Sequence, residues 1–203
     1  ILKEGHPCVG AEEKVDPHRQ HHQHHAQALA ALRLIGPNLQ AAYHDGKNAA
    51  AREAMMLGST LAGIAFCNSS VALVHGMSRP IGAFFHVPHG LANAILIAPV
   101  VAFNAMHNER ALTKYAKVSR ALGFAAHEAA DKEAVTALVK AILQLASTVQ
   151  CPMTITEATG LDPAELKSKV TLLAEKAIED MTYKTNPCKA TKEELINILL
   201  MVL

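Results

Sequence analysis

The chain has 203 residues, of which 50% are hydrophobic and only 4% aromatic, with no tryptophan. Nineteen Lys and Arg stand against eighteen Asp and Glu, a formal net charge of +1. So even a balance sets up no strong field for nucleic acid or an acidic membrane surface, and it favours a small-molecule or protein partner. An apolar set rich in alanine, leucine and methionine favours helices over sheets.

Cys8, Cys67, Cys151 and Cys188 are scattered and form no CxxC pair, which suits a reducing cytoplasm better than a disulfide framework. Lys3 and Glu4 occupy the place where a signal peptide would need an apolar run, so none is expected. The absence of an initiating Met hints at a processed, trimmed or fragmentary chain.

Taken in order, residues 1–25 form an atypical, His-rich N-terminal segment expected to be poorly ordered. Gly5, Pro7, Gly10 and Pro17 discourage any regular element there. The run His18-Arg19-Gln20-His21-His22-Gln23-His24-His25 could bind divalent ions through His18/His22 and His21/His25, each pair on one helical face; a solvated helix start explains it as well. A helix is predicted from Ala26 to Ile35, broken or kinked at Gly36-Pro37, with a brief continuation to Tyr43. Next comes a long apolar helix from Ala50 to about Phe66, then a piece from Ser69 to His75. No charged residue lies between Ala54 and Val74; Ser59, Thr60, Asn68, Gly58 and Gly63 interrupt that run, so a buried core helix explains it better than a membrane span. Arg79-Pro80 is expected to begin a short helix that Val87-Pro88 stops, and His89 to open another, kinked at Pro99, running to about Phe103. Amphipathic helices follow at Glu109–Leu122 and Asp131–Ser147, with Asp131 as N-cap, and at Ala164–Asp180, capped by Asp162. Thr191 and Glu194 fit a capping box opening a last helix to Met201. No strand pattern of useful length is present. The fold class is all-α.

The stretch with the most chemistry is Val74-His75-Gly76-Met77-Ser78-Arg79-Pro80, followed by His86-Val87-Pro88-His89-Gly90. Two His-Gly pairs lie fourteen positions apart in the least charged part of the chain. An imidazole buried there needs a partner, either a hydrogen-bond acceptor or a metal ion. Two histidines are half of a metal site, and the residues alone leave open core histidines bonded to backbone carbonyls.

Ser59-Thr60-Leu61-Ala62-Gly63-Ile64-Ala65-Phe66, Leu73-Val74-His75-Gly76-Met77 and His86-Val87-Pro88-His89-Gly90-Leu91-Ala92-Asn93-Ala94 closely resemble the iron-containing (group III) alcohol dehydrogenases. Phe103-Asn104 and, more loosely, Asn186-Pro187 extend the likeness, which covers residues 26–203. It implies a helical bundle like the C-terminal, metal-binding domain of those enzymes, without the N-terminal nucleotide-binding domain. It also implies a metal-dependent alcohol dehydrogenase moving hydride between an alcohol or aldehyde and NAD(P), here incomplete for catalysis. The alternative is a non-catalytic helical metal-binding or dimerisation remnant, and a homodimer is compatible with either.

In the family, one divalent ion, iron or sometimes zinc, acts as a Lewis acid on the substrate oxygen. It is held by an Asp-x3-His pair and two later histidines, which map to His75 and His89. Phe66, Arg79 and His86 map to the cofactor and substrate pocket; Arg79 stands where the family often has a histidine, and a salt bridge within the helical domain is its alternative reading. The Asp-x3-His pair and a Gly-rich phosphate turn are both absent from the sequence, so NAD(P) is expected only if a nucleotide-binding domain is supplied.

Overall fold

The computed structural model describes residues 17–203, with side chains from His24 onward. Among these residues the fold is all-α, with helices α1 (Pro17–His44), α2 (Ala49–Ser69), α3 (Ala72–Phe85), α4 (His89–His107), α5 (Glu109–Ala121), α6 (Asp131–Thr148), α7 (Ile155–Thr159), α8 (Pro163–Glu179) and α9 (Lys192–Met201). A 3-10 helix, Met181–Thr185, joins α8 to α9.

Several starts follow the capping chemistry in the sequence. Asn48, Asn108, Thr154, Asp162 and Thr191 each accept a backbone N–H of the helix they precede. Thr191 and Glu194 complete the expected capping box. Asp131 is not the cap of α6: it is the first helical residue, and Ala130 holds the cap position. Its carboxylate is drawn off by Arg120 at 2.7 Å and by the Thr113 hydroxyl at 3.0 Å, tying α5 to α6.

Two expected breaks are absent. α1 runs unbroken through Gly36-Pro37. Pro37 removes one backbone donor, but the Asn38 carboxamide donates to the Leu34 carbonyl at 2.8 Å and supports that turn. Packing along α2 holds the rest of the helix. Likewise, α3 neither ends at His75 nor restarts at Pro80 but runs continuously from Ala72 to Phe85. Gly76 makes no turn; it brings α3 close to the chain after α8, where a Cβ on it would touch Thr182 Oγ1 at 3.4 Å and the Ala177 carbonyl at 3.5 Å. The predicted pieces Ala50–Phe66 and Ser69–His75 become α2 and α3, which meet at 101° around Ser70. That bend breaks the uncharged run.

α4 is the central element. Leu96, Ile95, Val100 and Phe103 pack into the larger core with Leu73, Met77 and Ile81 of α3, Leu166 and Leu173 of α8, and Leu195 and Leu199 of α9. On another face, Val101 enters a second cluster with Ala116, Ala134, Val135 and Leu138 of α5 and α6. α4 is long and apolar enough to cross a membrane by length and composition. Serving two cores accounts for that apolarity.

α1 and α2 form a helical hairpin whose contact is set by a glycine. A Cβ on Gly58 would lie 2.7 Å from Ile35 Cγ1 and 3.2 Å from Leu34 Cβ. Gly58→Ala should therefore lower stability despite alanine's better helix propensity, since overpacking costs about 1–3 kcal/mol and the propensity gain is about 1 kcal/mol. A urea melt with an unchanged or raised midpoint would show that α1 yields freely.

Candidate metal centre

His75 lies in the first turn of α3 and His89 is the first residue of α4, and the chain between them folds back so that the two N-terminal turns bring their rings together. His89 Nε2 and His75 Nδ1 are 3.0 Å apart, with ring centroids separated by 4.7 Å and planes inclined at 60°. The expected convergence of the two imidazoles is present. Neither ring is bonded to a backbone carbonyl through its nitrogens in the contacts that describe this pair; their neighbours are each other, Ser78 and Asn93.

Those neighbours fix the protons. The Ser78 hydroxyl is buried and donates to the His75 carbonyl at 3.3 Å. With that proton on the carbonyl, Ser78 accepts from His89 Nδ1, also at 3.3 Å; in that tautomer His89 Nε2 is bare, and the His75 Nδ1–H donates to it at 3.0 Å. Asn93, one turn along α4 from His89, sets its amide nitrogen 3.2 Å from His89 Nε2 and 3.4 Å from His75 Nε2. Its Oδ1 is buried without a hydrogen-bond partner.

Burial lowers the His75 pKa below its ordinary value, and the charges of His89 and Arg79 add to this, while Asp180 opposes them. The ring is kept neutral and available as a donor near pH 7.

As a test of fit, two neutral imidazole donors aimed at one point suit Fe(II) or Zn(II). Bound at about 2.0–2.1 Å and roughly tetrahedral angles, two such nitrogens sit about 3.3 Å apart, so the observed 3.0 Å needs an opening of a few tenths of an ångström. The donor set is only half of a closed site: among the described residues no group of three His, Cys, Asp or Glu could hold a metal ion.

The remaining candidates lie around the pair. Arg79, one turn after His75, is held by Asp180 through Nη1 at 2.9 and 2.8 Å to the two carboxylate oxygens. Asp180 also accepts the backbone N–H and hydroxyl of Thr182, so this carboxylate anchors α3 to the 3-10 helix. His86 is exposed and caps α3 in the left-handed region with φ 56°, lining a shallow cleft with Phe84, Thr159 and Glu165 rather than with the histidine pair. Phe66 is 49% exposed on α2. Of the His-rich tract, His24 and His25 lie on α1; the side chains of His18, His21 and His22 fall outside the described residues, and so do residues 1–16.

Three side chains of this constellation escaped the sequence reading. Ser78 and Asn93 stand three and four residues after His75 and His89, the spacing that shares a helical face, and that could have flagged them. Asp180 lies 101 residues from Arg79 and carried no local signal.

Burial pushes the Asp180 carboxyl up, but the Arg79 and Thr182 hydrogen bonds and the Arg79 charge together hold it below the usual carboxylate range. A depressed folded-state pKa gives stability that is full above the unfolded value, near about 4, and is lost as pH falls through the folded value. Asp180→Asn should flatten the acid limb of a stability-versus-pH curve and cost about 1–2 kcal/mol at neutral pH, Arg79 being partly screened by water. An unchanged acid limb would deny the pair that role.

The all-α bundle, with two histidines brought together from the first turns of consecutive helices, defines the class of protein. The family model for the C-terminal part of the Fe-containing alcohol dehydrogenases matches residues 20–203, and the chain belongs to that family. The NADPH-dependent butanol dehydrogenase of Clostridium saccharobutylicum is 35% identical over 171 residues, which covers 84% of this chain and 42% of that enzyme. The lactaldehyde reductase of Escherichia coli K12 is 33% identical over 170 residues, with the same two coverages, 84% and 42%. Among solved structures, a 1,3-propanediol oxidoreductase superposes with a TM-score of 0.80 at 30% identity, over 88% of this chain and 44% of that one. An alcohol dehydrogenase from Oenococcus oeni gives 0.80 at 29% identity, with coverages of 88% and 44%. The chain therefore spans less than half the length of these relatives.

Proposed function

We propose that this chain is the metal-holding half of an NAD(P)-dependent alcohol dehydrogenase, with His75 and His89 as two ligands of one Fe(II) or Zn(II) ion. The observation that carries this reading is the convergence of His89 Nε2 on His75 Nδ1 at 3.0 Å, with His89 oriented from behind by Ser78. The ion, when bound, supplies Lewis acidity towards the oxygen of a small alcohol or aldehyde. The chain's own residues bind and orient: Ser78 fixes the His89 tautomer, Asn93 bridges the rings, and Asp180 holds Arg79 beside His75. Phe66, exposed on α2, fits as an apolar wall for a nicotinamide or substrate. Arg79 and His86 fit only as groups around that pocket.

Two ligand positions and the dinucleotide site must come from residues other than those described. The test is a pair of assays with ferrous ion or zinc, NAD(P) and short primary alcohols. The chain alone should show no saturable turnover. Joined behind the nucleotide-binding half of the clostridial butanol dehydrogenase, it should restore alcohol oxidation that His75→Ala removes. Turnover by the isolated chain, or a folded, metal-loaded chimera without activity, would overturn the proposal.

A further inference from the structure

The hydrogen bonds around the histidine pair run in one direction. Ser78 donates to the His75 carbonyl and accepts from His89 Nδ1. His89 Nε2 accepts from His75 Nδ1 at 3.0 Å. A neutral imidazole holds one N–H, so His75 Nε2 is left with a bare lone pair. Asn93 Nδ2 donates to that lone pair at 3.4 Å and stands 3.2 Å from His89 Nε2. The order Asn93, His75, His89, Ser78 then closes on the His75 carbonyl.

This arrangement puts a proton on the line between the rings, at His75 Nδ1. An ion shared by both rings needs that nitrogen bare, so the His75 proton must then sit on Nε2. A proton on Nε2 meets the Asn93 amide nitrogen, which has no lone pair to accept it. Half a turn of the carboxamide about its last side-chain bond removes the conflict, because Oδ1 takes the place of Nδ2. Asn93 Oδ1 is buried with no hydrogen-bond partner, and the turn puts the amide nitrogen in that position instead. One buried polar atom is left unpaired in either orientation, so this cost largely cancels. What separates the two orientations is the lone pairs. The turned carboxamide sets Oδ1 against His89 Nε2, and it leaves His75 Nδ1 and His89 Nε2 bare and facing each other. A cation between the rings relieves both repulsions, so amide orientation, tautomer and ion are coupled.

We propose that Asn93 is a positioning residue that selects the His75 tautomer by turning its carboxamide. The nitrogen end holds the His75 proton on Nδ1 and closes the pair; the oxygen end holds it on Nε2 and frees Nδ1 for a metal ion. The inference rests on His75 and His89 being ligands of one ion. No proton is gained or lost: His75 stays neutral, and its one hydrogen moves from Nδ1 to Nε2 through solvent. His89 keeps its Nδ1–H on Ser78 throughout. Asn93 sits one turn after His89 on α4, beside fully buried Ala92, so the backbone is held and the side-chain amide is what moves.

The experiment reads both tautomers by long-range proton–nitrogen NMR on the isotope-labelled full chain, with and without zinc, at about pH 8, where imidazoles are neutral. His75→Gln and His89→Gln assign the ring signals. Zinc-free wild type should show Nδ1–H on both rings, and zinc should move His75 to Nε2–H while His89 stays on Nδ1–H. Asn93→Asp, whose carboxylate only accepts, should put His75 on Nε2–H before zinc is added. Asn93→Leu, with no polar atom to offer, should weaken zinc binding about fivefold, less than either histidine variant. Three results would each overturn the switch alone: Nε2–H on His75 in zinc-free wild type, Nδ1–H kept by His75 in folded Asn93→Asp, or zinc bound with His75 still on Nδ1–H. Zinc that perturbs neither ring would overturn the metal centre and the switch together.

Discussion

Leu96→Ala is expected to destabilise the chain by about 3 kcal/mol, within the range of about 2–5 kcal/mol for truncating a fully buried leucine. Leu96 is 0% exposed, near the middle of α4, and packs with α3, α8 and α9 in the larger core. The loss combines the transfer of the removed methyl groups with the cavity left behind, because a helix packed on both faces cannot collapse inward to fill it. For a domain of this size each kcal/mol moves the melting temperature by about 2–4 °C, so a fall of about 6–12 °C should be seen. Leu96 shares the helical face of His89 and Asn93, and the same substitution should loosen the seat of both. A melting temperature within a degree or two of wild type would mean that α4 is not the central strut described here.

His75→Ala and His89→Ala should each weaken divalent-metal binding at least tenfold, and the double substitution should abolish it. Two neutral imidazoles meeting at one point act as a chelate, and a single remaining ring has little advantage over solvent water. Asn93→Ala should weaken binding less, since a carboxamide between the rings supports and orients them. The lowered His75 pKa keeps that ring neutral to lower pH than an ordinary histidine, and metal binding should be lost as pH falls through its protonation. Equilibrium dialysis of zinc against wild type and variants gives the comparison. Equal retention by the double variant would place the metal elsewhere, with the His-rich tract the first place to look.

Much of the centre was legible locally. The His-Gly pairs stood out because imidazoles in so apolar a stretch need partners, and the resemblance assigned them a common ion. Capping residues such as Asp162 and Thr191 marked helix starts because their side chains bond backbone within three residues. Pro80, expected to open a helix, lies inside α3, which the missing Cβ of Gly76 lets pack against Ala177 and Thr182. Gly36-Pro37 also lies inside an unbroken helix, although nothing stands within 4 Å of where a Gly36 Cβ would be.

Long-range partners were not legible at all. Asn104 and Asn186 were visible as words of the resemblance, yet nothing in the sequence showed that their carboxamides bond reciprocally at 3.2 and 2.7 Å across 82 residues, with the Cys188 thiol donating to Asn104 Oδ1. The Arg79–Asp180 pair belongs with them. Local chemistry singled out the two histidines, and tertiary packing decided what holds them.

The most direct measurement of the central claim is X-ray absorption at the metal edge of the zinc- or iron-loaded chain. The account predicts two imidazoles in the inner shell, read from their multiple-scattering pattern at metal–nitrogen distances of about 2.0–2.1 Å for zinc, with oxygen donors filling the remaining positions and both imidazoles missing from the His75→Ala/His89→Ala variant. A shell of oxygen alone, or imidazole scattering that persists undiminished in that variant, would contradict it.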